Sequence, residues 1–277
     1  MALGRVGIWG HDIADDTPRS REAAAELDEL GYGAIWVGGS PSVARAENVL
    51  AATERLTVAT GILNIWEHAA ADVAVQAKAA NEKYHGRFLL GLGASHGKLV
   101  KDYAKPLSAM REFLAGLTAA GHAKQDRVLA ALGPKMLELS ATEAAGAHPY
   151  LVTPEHTARA RGILGAGPVL APELKAVLTN DVAKGREIAR GHLRFYFQLP
   201  NYTNSLRSLG FTDDDFADGG SDRLVDATVA VGDETVISDR LRQHFDGGAD
   251  HVCIQVLNDP LPVAEWRTLS GLIQGHS

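Results

Sequence analysis

Eight short apolar runs alternate with helical patterns along a chain of 277 residues, and that alternation predicts an α/β fold of the TIM type, a closed (β/α)8 barrel in a single domain. The length supports it, because one such barrel takes about 250 residues. The first strand-to-helix turn supports it too. An open doubly wound sheet would carry a glycine fingerprint there, and the chain has Gly10-His11-Asp12-Ile13-Ala14 instead.

The elements follow in order. Val6–Gly10 reads as strand one, and Ser20–Leu30 as a helix with Ala23, Leu27 and Leu30 on one face and Gly31 as its stop. Ala34–Gly39 is strand two; Ser40-Pro41 supplies an N-cap and a first-turn proline for a helix continuing through Val43–Leu50. Thr57–Leu63 is strand three. The helix Ala70–Tyr84 places Val73, Ala77, Ala80 and Tyr84 on one face and ends at Gly86. Phe88–Gly93 is strand four, followed by a helix from Pro106 to Leu117. Arg127–Leu132 is strand five, with a helix opening at Gly133-Pro134 and running to Ala145. Ala147–Val152 is strand six, with Thr153-Pro154-Glu155 opening the next helix. Leu174–Thr179 is strand seven, with a helix from Asn180-Asp181 toward His192. His251–Leu257 is strand eight. Strands seven and eight are separated by a helical excursion of about seventy residues. It includes Asp213-Asp214-Asp215, expected to be a solvated loop, and ends with the helix Val236–Phe245.

Composition narrows the function. Twenty-seven Lys and Arg against thirty-four Asp and Glu give a formal charge of −7, which argues against a nucleic-acid groove. No stretch approaches the ~20 apolar residues of a membrane span, and Arg5, His11, Asp12, Asp15 and Asp16 interrupt any signal-peptide apolar region. A cytoplasmic protein is the expectation. The single cysteine, Cys253, excludes a disulfide framework and reads as a small core residue.

A barrel of this type keeps its chemistry where strands end and helices begin. Trp9, His11 and Asp12 follow strand one; Gly38-Gly39-Ser40 ends strand two. Asn64-Ile65-Trp66-Glu67-His68 follows strand three, and Ala94-Ser95-His96-Gly97 follows strand four. Leu132-Gly133-Pro134, His148-Pro149-Tyr150 and Asn258-Asp259 end strands five, six and eight. Aromatic walls with a few polar groups suit a large, flat, partly charged organic ligand. Competing structural roles are plain for some of these residues. Ser40 and Thr153 read as helix caps, Trp36 as core, and His68 and His85 as surface residues, whereas His11, His96 and His148 stand where a site would be.

No metal site is expected, since no His-Glu-x-x-His pair occurs and Glu67-His68 are adjacent. Gly93-Ala94-Ser95-His96-Gly97 fits the letters of a hydrolase nucleophile elbow, but no acid partner is apparent. Glycine placement carries more. Gly91 and Gly93 allow close approach to the backbone, Gly61 suggests a bulge, and Gly133-Pro134 opens a helix whose N-terminus favours a phosphate.

Several segments resemble the luciferase-like monooxygenase superfamily, and within it the deazaflavin (coenzyme F420)-dependent oxidoreductases of actinobacteria. The resemblance spans almost the whole chain. It is carried by Ala34-Ile35-Trp36-Val37, by Ala59-Thr60-Gly61-Ile62, and by the run Tyr84-His85-Gly86-Arg87-Phe88-Leu89-Leu90-Gly91-Leu92-Gly93. Two later runs, Leu129 to Met136 and Gly146 to His156, also carry it.

The resemblance implies a barrel binding F420, or alternatively FMN, at its C-terminal face. It implies a non-prolyl cis peptide at Gly61-Ile62 backing the cofactor ring and Asn64 beside that ring. Leu132, Gly133 and Met136 would hold the cofactor phosphate, and Gly91, Gly93 and Ser95 would complete the cofactor side. Trp9, Trp66 and His148 would line the substrate side, with His11 or His96 as proton donor. The anionic tail of F420 would leave past Lys98, Lys101 and Lys135. A homodimer through the helices after strands two and three is also implied; the face Ala69, Ala70, Ala71, Ala74 and Ala77 permits close helix approach but is equally good barrel packing. Gly39-Ser40 and Ala94 depart from the acids that relatives carry after strands two and four, which argues against a sugar-phosphate substrate. The expectation is hydride transfer between the deazaflavin and a small organic molecule. The alternatives are an FMN monooxygenase and a catalytically silent cofactor-binding paralogue.

Overall fold

A computed structural model describes residues 3–96 and 105–275, with the side chain of Gln274 left out. Its strands are β1 (Val6–Gly10), β2 (Ala34–Gly38), β3 (Thr57–Gly61), β4 (Leu63–Asn64), β5 (Phe88–Gly93), β6 (Arg127–Leu129), β7 (Gly146–Ala147), β8 (Val169–Leu170), β9 (Glu173–Leu178), β10 (Val229–Gly232) and β11 (Val252–Val256). The helices of the first half are α1 (Pro18–Glu29), α2 (Val43–Ala51), α3 (Ala70–Lys83), α4 (Pro106–Ala119), α5 (Pro134–Glu143) and α6 (Pro154–Leu164). Those of the second half are α7 (Val182–Tyr196), α8 (Pro200–Arg207), α9 (Asp222–Thr228), α10 (Glu234–Asp246), α11 (Val263–Leu269) and α12 (Gly271–Gly275).

The described strands pair in parallel, in the order β10-β9-β11-β1-β2-β3-β5-β6-β7-β8, with β4 beside β5. The sheet comes round on itself. Ala171 and Pro172 join β8 directly to β9, and the Leu170 carbonyl accepts from Asp250 N and His251 N at 2.9 and 3.4 Å, which ties β8 to the start of β11. This is the expected barrel. β10 adds to β9 as a further strand, within the segment expected to be mostly helical.

Side chains alternate across the sheet because strand residues point to opposite faces with period two. Trp9, Trp36, Ala59, Leu89, Val128 and Cys253 fill the interior, while Ile8, Ile35, Val58, Phe88 and Leu90 pack outward under the helices. Trp36 and Cys253 are thus core residues, as expected.

The Gly-Arg-Phe run has a structural job. His85 and Gly86 take left-handed φ values of 57° and 76°, which ends α3 and turns the chain into β5. Arg87 then donates to the carbonyls of Leu50, Thr53 and Leu56 and to Thr53 Oγ1, closing the open C-terminal end of α2. Buried Arg127 does the same for α4 and α5 through Leu114 O, Thr118 Oγ1 and Glu143 O.

Several boundaries differ from the sequence expectation. The third run breaks at a cis Gly61–Ile62 peptide, leaving β3 and β4. Runs five and six pair as strands for only three and two residues before turning into the loops that precede α5 and α6. Ser40 does not cap a helix. It has a left-handed φ of 52°, and Ser42 caps α2 by accepting from Arg45 N. Thr153 does cap α6. Asp215 is no solvated loop residue: it is buried, accepting from Thr212 N, Ser221 Oγ and Arg223. On α3, Ala74 and Ala77 are buried against the barrel, and a Cβ on Gly116 would meet Ala70 Cβ at 2.9 Å. Those three alanines therefore serve packing within the chain.

Candidate active site

One cavity of about 920 Å³ opens at the C-terminal ends of the strands, roofed by α7 and α8. Its size is near the upper end of the ~300–1,000 Å³ range for cofactor and ligand sites. The structure brings eleven of the expected residues onto its wall: Trp9, His11, Gly61, Ile62, Gly93, Ser95, His96, Leu132, Gly133, Met136 and His148.

Three expected residues stand elsewhere. Asn64 is buried, donating to Glu67 Oε1 at 2.6 Å and accepting from Trp66 N at 3.3 Å, so it braces its own turn. Trp66 donates from Nε1 to Ala94 O and packs into the outer core. Gly91 lies inside the sheet, where a Cβ would come 1.9 Å from Thr60 O; its lack of a side chain serves strand packing, not ligand approach. Lys135 is exposed at the start of α5, whereas Lys98 and Lys101 lie outside the described residues.

The floor is built from glycines with close neighbours. A Cβ on Gly93 would fall 2.3 Å from Ile62 Cδ1, and one on Gly38 would fall 2.2 Å from Trp9 Cη2. Gly39 has a φ of 76°, and a Cβ there would collide with the His11 ring. At the opposite end, α5 begins at the cavity with Gly133 as its N-cap and no side chain bonded to it. Gly133 faces open space, so an anion can approach the positive end of that helix.

The wall mixes apolar surface with histidines, tyrosines and, toward α7 and α8, Arg159, Asn201 and Asn204. His148 is 1% exposed and stacks on Trp36 with ring centroids 4.0 Å apart. Its Nδ1 lies 2.7 Å from Ala171 O, which fixes the proton on Nδ1 and leaves Nε2 as an acceptor without a partner among the described residues. Burial pulls its pKa down to about 4, so it is neutral at ordinary pH. Among the described residues, Trp9 Nε1, His96 Nδ1 and His192 Nε2 also lack partners. Burial lowers the His96 pKa, and burial with the nearby Lys175 charge takes His192 down to about 3. His11 sits at the exposed rim with Nδ1 2.7 Å from Asp12 Oδ1; Arg45 donates to His11 O and to Asp15.

A polar chain that runs from the buried Glu173–Lys175 pair to Gln255, Tyr150 and Tyr196 on the wall escaped the sequence reading. Lys175 Nζ donates to Glu173 Oε1 at 2.9 Å and to Gln255 Oε1 at 3.1 Å. Tyr150 donates to the same Gln255 oxygen at 2.7 Å, and Tyr196 lies 2.8 Å from the Tyr150 hydroxyl. Lys175 Nζ also stands 3.5 Å from the Tyr150 ring centroid. Burial pushes the Glu173 carboxyl up and the Lys175 ammonium down, and each charge opposes the other's shift. Two charges at positions 173 and 175 of an apolar strand share one face, and that spacing was the available signal. Tyr196 and Tyr202 enter the wall from α7 and α8, with no comparable signal.

A planar cofactor with a phosphate fits these residues, since the glycine floor, the bare helix N-terminus and the unpartnered polar atoms all belong to one cavity. Residues 1–124 match the family model of the luciferase-like monooxygenases. No curated protein sequence matches the chain. Among solved structures, an F420-dependent secondary alcohol dehydrogenase in complex with an F420-acetone adduct shares 12% identity, each chain covered to 99%, with a TM-score of 0.77. The coenzyme F420-dependent tetrahydromethanopterin reductase of Methanopyrus kandleri has a TM-score of 0.73 at 14% identity, covering 99% of this chain and 100% of that one. The oxygenating constituent of the Pseudomonas putida 3,6-diketocamphane monooxygenase, solved with FMN, has a TM-score of 0.71 at 12% identity, covering 99% and 97%. The chain therefore has the barrel fold of luciferase-like enzymes over its whole described length, and its first 124 residues match that family's sequence pattern.

Proposed function

We propose that the protein is an F420-dependent oxidoreductase acting on a small organic substrate. The observation that carries this reading is the joining, in one cavity of about 920 Å³, of the Ile62–Gly93 floor with the bare N-terminus of α5. A ring and its phosphate need those two features together, with room left above the ring. Two of the solved structures sharing the fold are F420-dependent enzymes, which supports the choice of cofactor.

When bound, a deazaflavin would supply hydride chemistry at its ring. The chain's own residues would do the rest. Leu132, Gly133 and Met136 would hold the phosphate end, and Ile62 and Gly93 would back the ring. Trp9, Tyr150 and Tyr202 would exclude water from above it. His148, neutral and with its tautomer fixed, would accept a hydrogen bond at Nε2 without exchanging protons near neutral pH. His11 at the rim and His96 on the wall are the groups proposed to move a proton to or from the substrate. We further propose a cytoplasmic homodimer, which sedimentation at several concentrations would test.

The test is titration of the purified protein with F420 and, separately, with FMN, read by visible absorbance and by thermal shift. Saturable binding of F420 supports the reading. Tight FMN binding with none of F420 would overturn the deazaflavin and favour a flavin monooxygenase. Among the variants, His11→Ala and His96→Ala should retain F420 binding while slowing turnover; if neither slows it, both lose the proposed role.

A further inference from the structure

The polar chain that leads from Lys175 to the cavity wall has a fixed direction. The Gln255 side-chain oxygen can only accept, and it already lies within bonding distance of the Lys175 ammonium and the Tyr150 hydroxyl. Tyr150 must therefore spend its proton on Gln255. The remaining 2.8 Å contact, between the two tyrosine oxygens, then requires Tyr196 to donate to Tyr150. The register makes the arrangement rigid, because Gln255 on β11 pairs with Lys175 on β9 and shares its inward face. The ammonium is held by Glu173, whose other oxygen accepts from Leu151 N at 3.0 Å.

Tyr196 is on the cavity wall and half-buried. Its only proton is committed inward, so what it offers the cavity is a lone pair. His148 Nε2, also on that wall, is a bare acceptor for an independent reason. We propose that Tyr196 serves in this site as an acceptor for a substrate's hydrogen-bond donor, an alcohol hydroxyl above all, with its polarity set by the Lys175–Gln255–Tyr150 chain. This deepens the proposed function by naming the substrate class. It rests on the reading that this cavity is the substrate site, but not on which cofactor the protein uses. Lys175 acts through Gln255 and Tyr150 and is a positioning residue, whereas Tyr150 and Gln255 both line the cavity and set the polarity of Tyr196.

The test compares two probes of nearly equal shape, cyclohexanol and cyclohexanone, by ligand-observed NMR titration of the full chain without cofactor. It is repeated with F420 and with FMN present. The wild-type protein should bind the alcohol about threefold to tenfold more tightly, the fold-change expected of one neutral hydrogen bond. In Tyr196→Phe the ratio should fall to near one through loss of alcohol affinity. In Tyr150→Phe it should fall through a gain in ketone affinity, because the freed Tyr196 proton can then donate to a carbonyl.

A packing role alone would not make the two variants act on opposite probes. A wild-type preference for the ketone, or a Tyr150→Phe ratio equal to that of the wild type, overturns the proposal. Failure of F420 to bind while the alcohol preference persists would overturn the cofactor choice and leave this inference standing.

Discussion

The indole of Trp36 lies flat against the imidazole of His148, ring centroids 4.0 Å apart and planes 14° from parallel. The same indole donates from Nε1 to His251 Nε2 at 3.0 Å, and His251 Nδ1 bonds Gly4 O at 2.9 Å. One tryptophan thus packs on one buried histidine at the cavity wall and hydrogen-bonds another at the base of the barrel.

That arrangement makes stability sensitive to acid. His148 and His251 have pKa values near 4 and His244 near 3, all pulled down mainly by burial, against about 6.5 in an unfolded chain. Between these values the unfolded chain binds more protons, so stability rises with pH. It is complete above about pH 6.5 and drains away as the pH falls toward 4. Each fully buried imidazole accounts for about 2 kcal/mol lost by pH 5. Urea unfolding at about pH 7.5 and about pH 5 measures this, and an unchanged midpoint would contradict it.

The ion pair inside the barrel predicts an asymmetry. Lys175→Met strands a carboxylate at Glu173, where neither side chain reaches solvent, and should cost about 3–5 kcal/mol. The double change Glu173→Leu with Lys175→Met removes both charges and should recover most of that loss. Denaturant midpoints of the three proteins decide it. A double variant no more stable than the single one would mean the pair is not the source of the cost.

Glycines 91 and 133 should part company. In Gly91→Ala the new methyl meets the Thr60 carbonyl, a backbone atom with nowhere to go, so a loss of about 3 kcal/mol or outright misfolding is expected. Gly133 has a φ of −91° and open space around it, so Gly133→Ala should fold with near wild-type stability. It should nonetheless weaken binding of a phosphate-bearing cofactor. Thermal melts with and without F420 separate the two effects.

Arg87 should matter far from the cavity. Its guanidinium is shared among three carbonyls and a hydroxyl at the end of α2, a fork that lysine cannot reproduce. Arg87→Lys should destabilise by on the order of 1–3 kcal/mol without altering the affinity for F420. A change in affinity at unchanged stability would place Arg87 in the site instead.

The residues that the resemblance brought forward fall into two groups. The luciferase-like signature around Gly86, Arg87 and Phe88 pointed to the fold, and in the structure its atoms do fold work: a left-handed turn, a helix-end clamp and a packed ring. Gly61, Ile62, Gly93 and Gly133 are at the cavity, as expected. Asn64, Gly91 and Trp66 were equally good candidates by position, since each lies at or near the end of a strand. What separates them is which neighbour fills the space beside them.

Periodicity, length and strand-end position by themselves determined the barrel, most of its elements and the face that carries the site, because local alternation fixes which side of a strand or helix is apolar. The tertiary structure alone decided the inward Glu173–Lys175 pair's partners and the approach of Tyr196 and Tyr202 from α7 and α8. It also set the direction of the hydrogen bonds among them. Those depend on residues as far as 105 positions apart meeting in three dimensions, and no local pattern encodes which hydroxyl gives up its proton to which oxygen.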